Sequence, residues 1–235
     1  MPADERGAGR SAMQMEVRKL TVGYGAAWVL DQVSLQIGAG EFIGIVGCTG
    51  CGKTTLLKAM AGLLEVQDGE ILLDGENIFS RRFDRAVLRR KVGMVFQYPE
   101  QQLFEETVKK DIAFGPTNMG LDEGNVERRV RQAMEFVRLD YNTYAERSPF
   151  RLSGGQQRRV AIAGVIAMHP DFLIMDEPSA GLDPVGRMEI FSRVKEWFEK
   201  KYFSVILVTH NMEDIARLAL SLIHISEPTR RSYIS

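Results

Sequence analysis

Residues 42–54 restrict what this chain can fold into more than any other part of it. The stretch opens with a continuous apolar run, Phe42–Val46, which is typical of a strand buried in a parallel sheet. The string GCTGCGKT follows, and residues 54–61 then show the helical spacing of apolar side chains. A glycine-rich loop between a buried strand and a helix directs backbone N–H groups and the positive end of the helix dipole at an anion.

This strand–loop–helix pattern predicts a phosphate-binding loop. Lys53 is expected to reach the β- and γ-phosphates of a nucleotide, and the Thr54 hydroxyl to bind Mg²⁺. The residues predicted to hold the nucleotide here are Gly47, Cys48, Thr49, Gly50, Cys51, Gly52, Lys53, Thr54 and Thr55. Cys48 and Cys51 also form a C-x-x-C pair, which on spacing alone leaves a thioredoxin-like or zinc interpretation open.

A second apolar strand, residues 172–175, ends in Asp176 and Glu177. Beside a phosphate-binding loop, Asp176 is placed to hold Mg²⁺ directly or through its water shell. Glu177 lies one residue further along, where it can face the γ-phosphate and polarise an attacking water. The alternative interpretation is a strand that ends in an ordinary acidic turn.

Composition narrows the classes of protein that fit. The chain has 235 residues, 45% of them hydrophobic, which is enough to bury a sizeable core. Its formal net charge of −1 argues against a dedicated nucleic-acid binder, so no nucleic acid is expected as a partner. Two cysteines cannot build a disulfide framework, and no apolar run reaches the roughly 18 residues needed to span a bilayer. Residues 1–14 are polar and are expected to form a loose N-terminal extension.

The string LSGGQ, residues 152–156, lies before the acidic strand and at the start of an apolar helical segment. A serine and two glycines at a helix start predict a second anion site, formed by Ser153, Gly154, Gly155 and Gln156. With the loop, the LSGGQ string and the acidic strand in this order, the chain resembles the ATP-binding-cassette (ABC) ATPases. In that family the signature of one subunit closes on the ATP held by the other.

Strands alternate with helical segments along the chain, which predicts an α/β fold. The resemblance to the ABC ATPases implies its details. We expect a P-loop NTPase core with a parallel sheet, an N-terminal antiparallel β region and an inserted α-helical subdomain at about residues 97–167. The ABC ATPase domain is assigned to residues 15–219. ATP and Mg²⁺ are the implied cofactors.

Further residues take roles only through this resemblance. Gln97 matches the glutamine that senses the γ-phosphate, joins the Mg²⁺ site and contacts the membrane partner, and His210 matches the switch histidine. With Glu177 they form the predicted catalytic set. Residues 179–183 (SAGLD) match the loop that crosses the dimer interface. Tyr24 matches the aromatic residue that stacks on adenine, with Trp28 as its rival.

Within the ABC ATPases the chain looks like the energy-coupling factor (ECF) transporters, and is most similar to the second of their two paired ATPases. The matching strings are VFQYPEQQLFEETV at 95–108, IAFGP at 112–116, RSPF at 147–150 and RRVAIAG at 158–164. The similarity implies ATP hydrolysis coupled to import of a vitamin or of a cobalt or nickel ion. It also implies a head-to-tail dimer with a second ECF ATPase, an integral transmembrane subunit, a separate substrate-binding membrane subunit, and a peripheral position on the cytoplasmic face of the membrane.

The last residues depart from that family. Residues 220–230 read LSLIHISEPTR, which looks like the peptide encoded by a transposase-end sequencing adapter. Residues 220–235 are therefore interpreted as a non-native tail without a specific place in the fold. Ile223 and Ile225 alternate with polar residues, so a strand there would be a chance match. Two alternative functions stay open: a soluble ABC ATPase without a membrane partner, and a truncated, non-catalytic fragment that binds nucleotide.

Overall fold

The computed structural model describes residues 13–24, 27–178, 184–200, 203–209 and 221–224. The strands within these residues are β1 (Met15–Tyr24), β2 (Ala27–Ile37), β3 (Phe42–Val46), β4 (Asp68–Leu73), β5 (Glu76–Asn77), β6 (Val92–Val95), β7 (Phe172–Asp176), β8 (Ser204–Val208) and β9 (Ser221–His224). The helices are α1 (Lys53–Met60), α2 (Arg85–Lys91), α3 (Val108–Asn118), α4 (Glu123–Phe136), α5 (Tyr141–Tyr144), α6 (Gly154–Ala167) and α7 (Pro184–Lys200).

Five strands form a parallel sheet in the order β6-β7-β8-β3-β9. Strands β3, β7 and β8 are buried along their whole length, as their continuous apolar sequences predict. Because the carboxyl ends of parallel strands meet at one edge of a sheet, the segments that follow β3, β6 and β7 come together there. This edge positions the candidate site.

The other four strands form an antiparallel sheet in the order β2-β1-β4-β5. Its apolar side chains share one core with α1 and with one face of the parallel sheet, where Ile174 and Ile206 lie. The neighbouring side chains Leu173 and Val205 belong to a second core, with helices α3, α4, α6 and α7. Alternate residues of each buried strand thus serve two cores, and the predicted fold class is confirmed.

Side-chain oxygens cap the helices that connect β6 to β7. The caps are Thr107 for α3, Asp122 for α4, Asp140 for α5 and Ser153 for α6. Each such cap stabilises a helix by about 1 kcal/mol, because it binds a backbone N–H that has no partner within the helix. These four helices lie within the range that the sequence assigns to a helical subdomain; the domain boundaries themselves stay a prediction.

The last described strand lies in the segment that the sequence interprets as a non-native tail. Strand β9 pairs in parallel with β3 over four residue pairs, and Ile223 packs against the first core. An apolar residue beside the open edge of β3 accounts for this pairing, and the origin of residues 220–235 stays a prediction. Among the described residues, no helix combines the length and the hydrophobicity that a membrane crossing requires.

Candidate nucleotide-binding site

The loop between β3 and α1 is built on two glycines with left-handed backbone. The Cys51 N–H donates to the Cys48 carbonyl at 3.3 Å, and Gly50, at φ 85°, takes the third position of this turn. Gly52, at φ 99°, precedes the first residue of α1. A Cβ at Gly52 would lie 2.7 Å from Leu30 Cδ2 and 3.0 Å from the Val29 carbonyl oxygen, so only glycine fits there. The loop therefore has the tight curvature that a phosphate cradle needs.

Lys53 is folded back onto this loop. Its ammonium donates to the carbonyl oxygens of Gly47 and Cys48, both at 2.8 Å, and lies 3.9 Å from Cys51 Sγ. The side chain is only 6% exposed. A buried ammonium held over the mouth of a glycine loop supplies the positive charge that the β- and γ-phosphates require.

The first turn of α1 touches the end of β7. The Thr54 hydroxyl donates to the Asp176 Oδ2 at 2.7 Å, and Asp176 is buried. A hydroxyl and a carboxylate are hard oxygen ligands of the kind that Mg²⁺ prefers, and Mg²⁺ completes its shell with water and nucleotide phosphates rather than with a protein cage. Thr54 and Asp176 therefore fit the ion. The described residues contain no group of three or more histidine, cysteine or acidic side chains that could hold a metal ion.

Glu177 stands directly beyond this pair. Its carboxylate Oε2 accepts a hydrogen bond from Gln97 Nε2 at 3.2 Å, and its backbone N–H donates to the Val208 carbonyl at 2.9 Å. The backbone has φ 49°, a left-handed conformation that is uncommon for residues other than glycine. Pairing to β8 holds it there, and such outliers collect at functional sites. The structure thus brings together Gln97, Thr54, Asp176 and Glu177, as the sequence predicts.

The LSGGQ string forms the start of α6. Ser153 Oγ accepts from the Gln156 N–H at 3.4 Å, and Gln156 Oε1 accepts from the Ser153 N–H at 3.0 Å. This reciprocal pair is a capping box. The Gln156 amide also donates to the Tyr144 hydroxyl at 3.2 Å. Ser153, Gly154 and Gly155 are exposed, so the string faces outward and is available to a second molecule.

Comparison with known proteins decides the family. The ABC transporter family model matches residues 30–180. The energy-coupling factor transporter ATP-binding protein EcfA2 of Clostridioides difficile is 54% identical over 198 residues, which cover 84% of this chain and 69% of that protein. The EcfA2 of Symbiobacterium thermophilum is 54% identical over 194 residues, which cover 82% and 67%. The chain belongs to the ATP-binding subunits of ECF transporters, within the ABC transporter family.

Solved structures agree with that membership. A cbiO1 structure from Clostridium perfringens, described as part of the ABC transporter complex cbiONQ, is 34% identical with a TM-score of 0.81 and covers 92% of this chain and 85% of its own. A dimeric ATP-binding cassette in a post-hydrolysis state, bound to ADP and Pi, is 27% identical with a TM-score of 0.78 and covers 90% and 94%. The chain spans about two thirds of the length of the curated ECF relatives it matches.

The sequence analysis did not predict an ion pair between Arg158 and Glu100. Arg158 on α6 donates to both carboxylate oxygens of Glu100 at 3.1 Å and to the Gln97 carbonyl at 3.3 Å. Its side chain is 5% exposed. The pair ties α6, the helix that begins in the LSGGQ string, to the loop of Gln97, and hence to Glu177. An arginine at the head of the apolar run VAIAG was the available sequence signal, because a buried arginine needs an acidic partner.

Two predicted features of the ECF ATPase site lie outside the described residues, namely His210 and residues 179–183. For Tyr24 only the backbone is described, paired with Ala27 in the β1–β2 hairpin. Its rival, Trp28, is in the same hairpin and is 57% exposed. Val29, the next residue, approaches Gly52. The adenine-stacking role of Tyr24 stays a prediction.

Proposed function

We propose that this chain binds ATP with Mg²⁺ at the edge of its parallel sheet and hydrolyses it in a head-to-tail dimer with a second ECF ATPase. ATP hydrolysis coupled to transport is the activity of its family. Import of a vitamin, or of a cobalt or nickel ion, is the process that it powers. The observation that carries the site assignment is the 2.7 Å contact between Thr54 and Asp176, which joins the glycine loop to the acidic strand end.

Nucleotide binding begins with the loop. Backbone N–H groups of residues 47–55 and the start of α1 receive the phosphates, and Lys53 exchanges its two carbonyl partners for phosphate oxygens. That exchange favours ATP, because the ammonium then donates to a charged oxygen instead of to a neutral carbonyl. Thr54, Asp176 and Gln97 would hold Mg²⁺, which would supply positive charge to offset that of the β- and γ-phosphates.

Hydrolysis then depends on Glu177. Its carboxylate accepts a proton from, or orients, the water that attacks the γ-phosphate, and Gln97 holds that carboxylate through the 3.2 Å hydrogen bond. His210 is proposed to hold the γ-phosphate and the water in register. Lys53 and the signature of the facing subunit stabilise the charge of the transition state.

The signature supports a composite site. Ser153, Gly154 and Gly155 are exposed at a helix start, where they can meet ATP bound to another subunit. The dimeric cassette with ADP and Pi and the cbiO1 subunit of a larger transporter complex provide precedents for such assembly. We accordingly propose an integral transmembrane subunit and a separate substrate-binding membrane subunit as partners. The chain would then lie peripherally at the cytoplasmic face of the membrane.

The test is Glu177→Gln in the assembled transporter. We expect ATP binding to persist while turnover falls by about 10²- to 10⁴-fold, because a positioned base contributes that much. Glu135→Gln is the matched control, since Glu135 is an exposed carboxylate on α4. Turnover of Glu177→Gln within a few-fold of the unmodified complex would contradict the assignment.

Purification separates the alternative functions. Co-isolation with an integral membrane protein and a second ATPase supports the transporter. Turnover by the chain alone, with equal specific activity at all dilutions, favours a soluble ATPase that does not need a composite site. Nucleotide binding without turnover, even after a complete second ECF ATPase is added, supports a non-catalytic fragment.

A further inference from the structure

The chain has two cysteines, and both lie in the phosphate-binding loop. Both thiols are free, with Cys48 exposed and Cys51 buried. Cys51 is 1% exposed and belongs to the core that joins the two sheets. A pair with one accessible and one enclosed thiol has a built-in order of reaction, because a reagent in solution meets Cys48 first.

The two residues lie at the ends of one tight turn. Cys48 and Cys51 are its first and fourth residues, closed by the 3.3 Å hydrogen bond between them. Such turns bring the terminal Cα atoms within about 7 Å, and disulfides span Cα separations of roughly 4.4–6.8 Å. Gly50, at φ 85°, supplies the left-handed backbone at the third position of this turn.

The same two residues hold the lysine that is proposed to bind phosphate. The Lys53 ammonium contacts the Cys48 carbonyl at 2.8 Å and lies 3.9 Å from Cys51 Sγ. A bond between the two sulfurs would draw the exposed end of the loop toward its buried end. The loop carbonyls, the N–H groups between them and Lys53 would all shift from the cradle geometry.

We propose that Cys48 and Cys51 form a thiol–disulfide site that switches nucleotide binding off. The inference rests on the proposed function of the loop. The partner molecule is a small-molecule disulfide, which acts as the oxidant. Bound ATP protects the site, since its phosphates occupy the space through which the Cys48 side chain must turn.

The exchange balances without any further reagent. The Cys48 sulfur attacks the small-molecule disulfide, a mixed disulfide forms at Cys48, and one small thiol leaves with its proton. The Cys51 sulfur then attacks the Cys48 sulfur, the intramolecular disulfide forms, and a second small thiol leaves. The protein loses two protons and two electrons, and the small-molecule disulfide is reduced to two thiols. An added dithiol reverses both steps.

The experiment treats the full chain with oxidised glutathione and follows intact mass and the affinity for a fluorescent ATP analogue. Glutathione disulfide is chosen over peroxide because it leaves the 11 methionines untouched. We expect the mass of the intramolecular disulfide, a loss of affinity of about tenfold or more, recovery with a dithiol, and slower reaction when ATP is bound beforehand. Cys51→Ser should stop at the glutathione adduct, and Cys48→Ser should stay unmodified, each compared with itself before treatment.

Two results would overturn the proposal. One is a glutathione adduct at Cys48 of the unmodified chain that never proceeds to the intramolecular disulfide. The other is a fully disulfide-bonded chain with unchanged affinity for the analogue. If the reduced chain itself fails to bind nucleotide, the proposed function fails instead, while the mass measurement still decides whether the disulfide forms.

Discussion

Two helix starts in this ECF ATPase are both glycine-rich in sequence. They differ in whether a side chain accepts hydrogen bonds from their free backbone N–H groups. Helix α6 is closed by its own side chains, through the capping box of Ser153 and Gln156. Helix α1 starts at Lys53, and Gly52 before it offers no side-chain cap. Since an uncapped helix start attracts anions, α1 is suited to binding the phosphates of a nucleotide in its own subunit. The start of α6 is closed without a ligand and stays exposed, as the proposed contact with a partner's nucleotide requires.

Removing the charge at the uncapped start should have the largest effect. In Lys53→Ala the loop loses the ammonium that contacts Gly47 and Cys48. We expect turnover of the assembled complex to fall by about 10²- to 10³-fold, as for loss of one preorganised electrostatic donor, with weaker ATP binding. Lys58→Ala, one turn further along the same helix, is the control. Steady-state kinetics with ATP titration measures turnover and ATP binding. Turnover of Lys53→Ala at the level of the unmodified complex would contradict the proposed difference between the two helix starts.

Breaking the link between α6 and the Gln97 loop comes next. Arg158→Met leaves Glu100 and the Gln97 carbonyl without their shared donor, which should cost about 1.5–3 kcal/mol of unfolding free energy. If Arg158 also positions Gln97, kcat should fall more than KM changes. Arg159→Met is the neighbouring control, because its pair with Glu189 is more exposed on the arginine side. Equal effects of the two variants in denaturant unfolding and kinetics would show that Arg158 has no special role.

The capped start is tested by two substitutions at one position. Ser153→Ala removes the cap and should destabilise the chain by about 1 kcal/mol, whereas Ser153→Asp keeps a capping oxygen and should leave stability nearly unchanged. Both should lower turnover, because each removes the Ser153 hydroxyl from the proposed anion site. Aspartate would also repel the phosphate that a partner presents. Thr107→Ala, which uncaps α3, controls for capping alone. Full activity of Ser153→Asp in the assembled complex would argue against an anion site at α6.

The smallest effect concerns β9. This strand lies beside β3, and β3 leads into the phosphate-binding loop. We expect deletion of residues 220–235 to change the unfolding free energy by less than about 1 kcal/mol, the range of ordinary surface changes. Strand β9 pairs with β3 over four residue pairs at the sheet edge. Denaturant unfolding of both chains measures the difference. A larger loss would mean that Ser221–His224 is an integral part of the fold and that the tail interpretation is wrong.

Local patterns were sufficient for the parts of the site that lie on strand ends and helix starts. The glycine loop, Asp176 and Glu177 were predictable because parallel strands deliver their carboxyl ends to one edge. The S-x-x-Q spacing of Ser153 and Gln156 was also readable as a capping box, although the sequence analysis used only its anion-binding aspect. Helix α2 begins at Arg85, because Asp84 accepts the Ala86 N–H and caps the helix there.

The contact of Arg158 with Glu100 is of another kind. The two residues are 58 positions apart and meet only when α6 packs beside the loop of Gln97. No periodicity or spacing in the sequence predicts this contact, since it depends on how the three helices between β6 and α6 pack. Tertiary contacts of this sort require the folded chain.

The left-handed backbone of Glu177 has a consequence for anyone who would engineer this protein. At φ 49° glycine is the residue that relieves the conformation, so a procedure that selects substitutions by stability alone would favour glycine at this position. Natural proteins keep such costs where activity requires them. On the proposed role of Glu177, glycine at 177 would relieve the backbone and remove the carboxylate together, so selection for stability at this position would select against turnover.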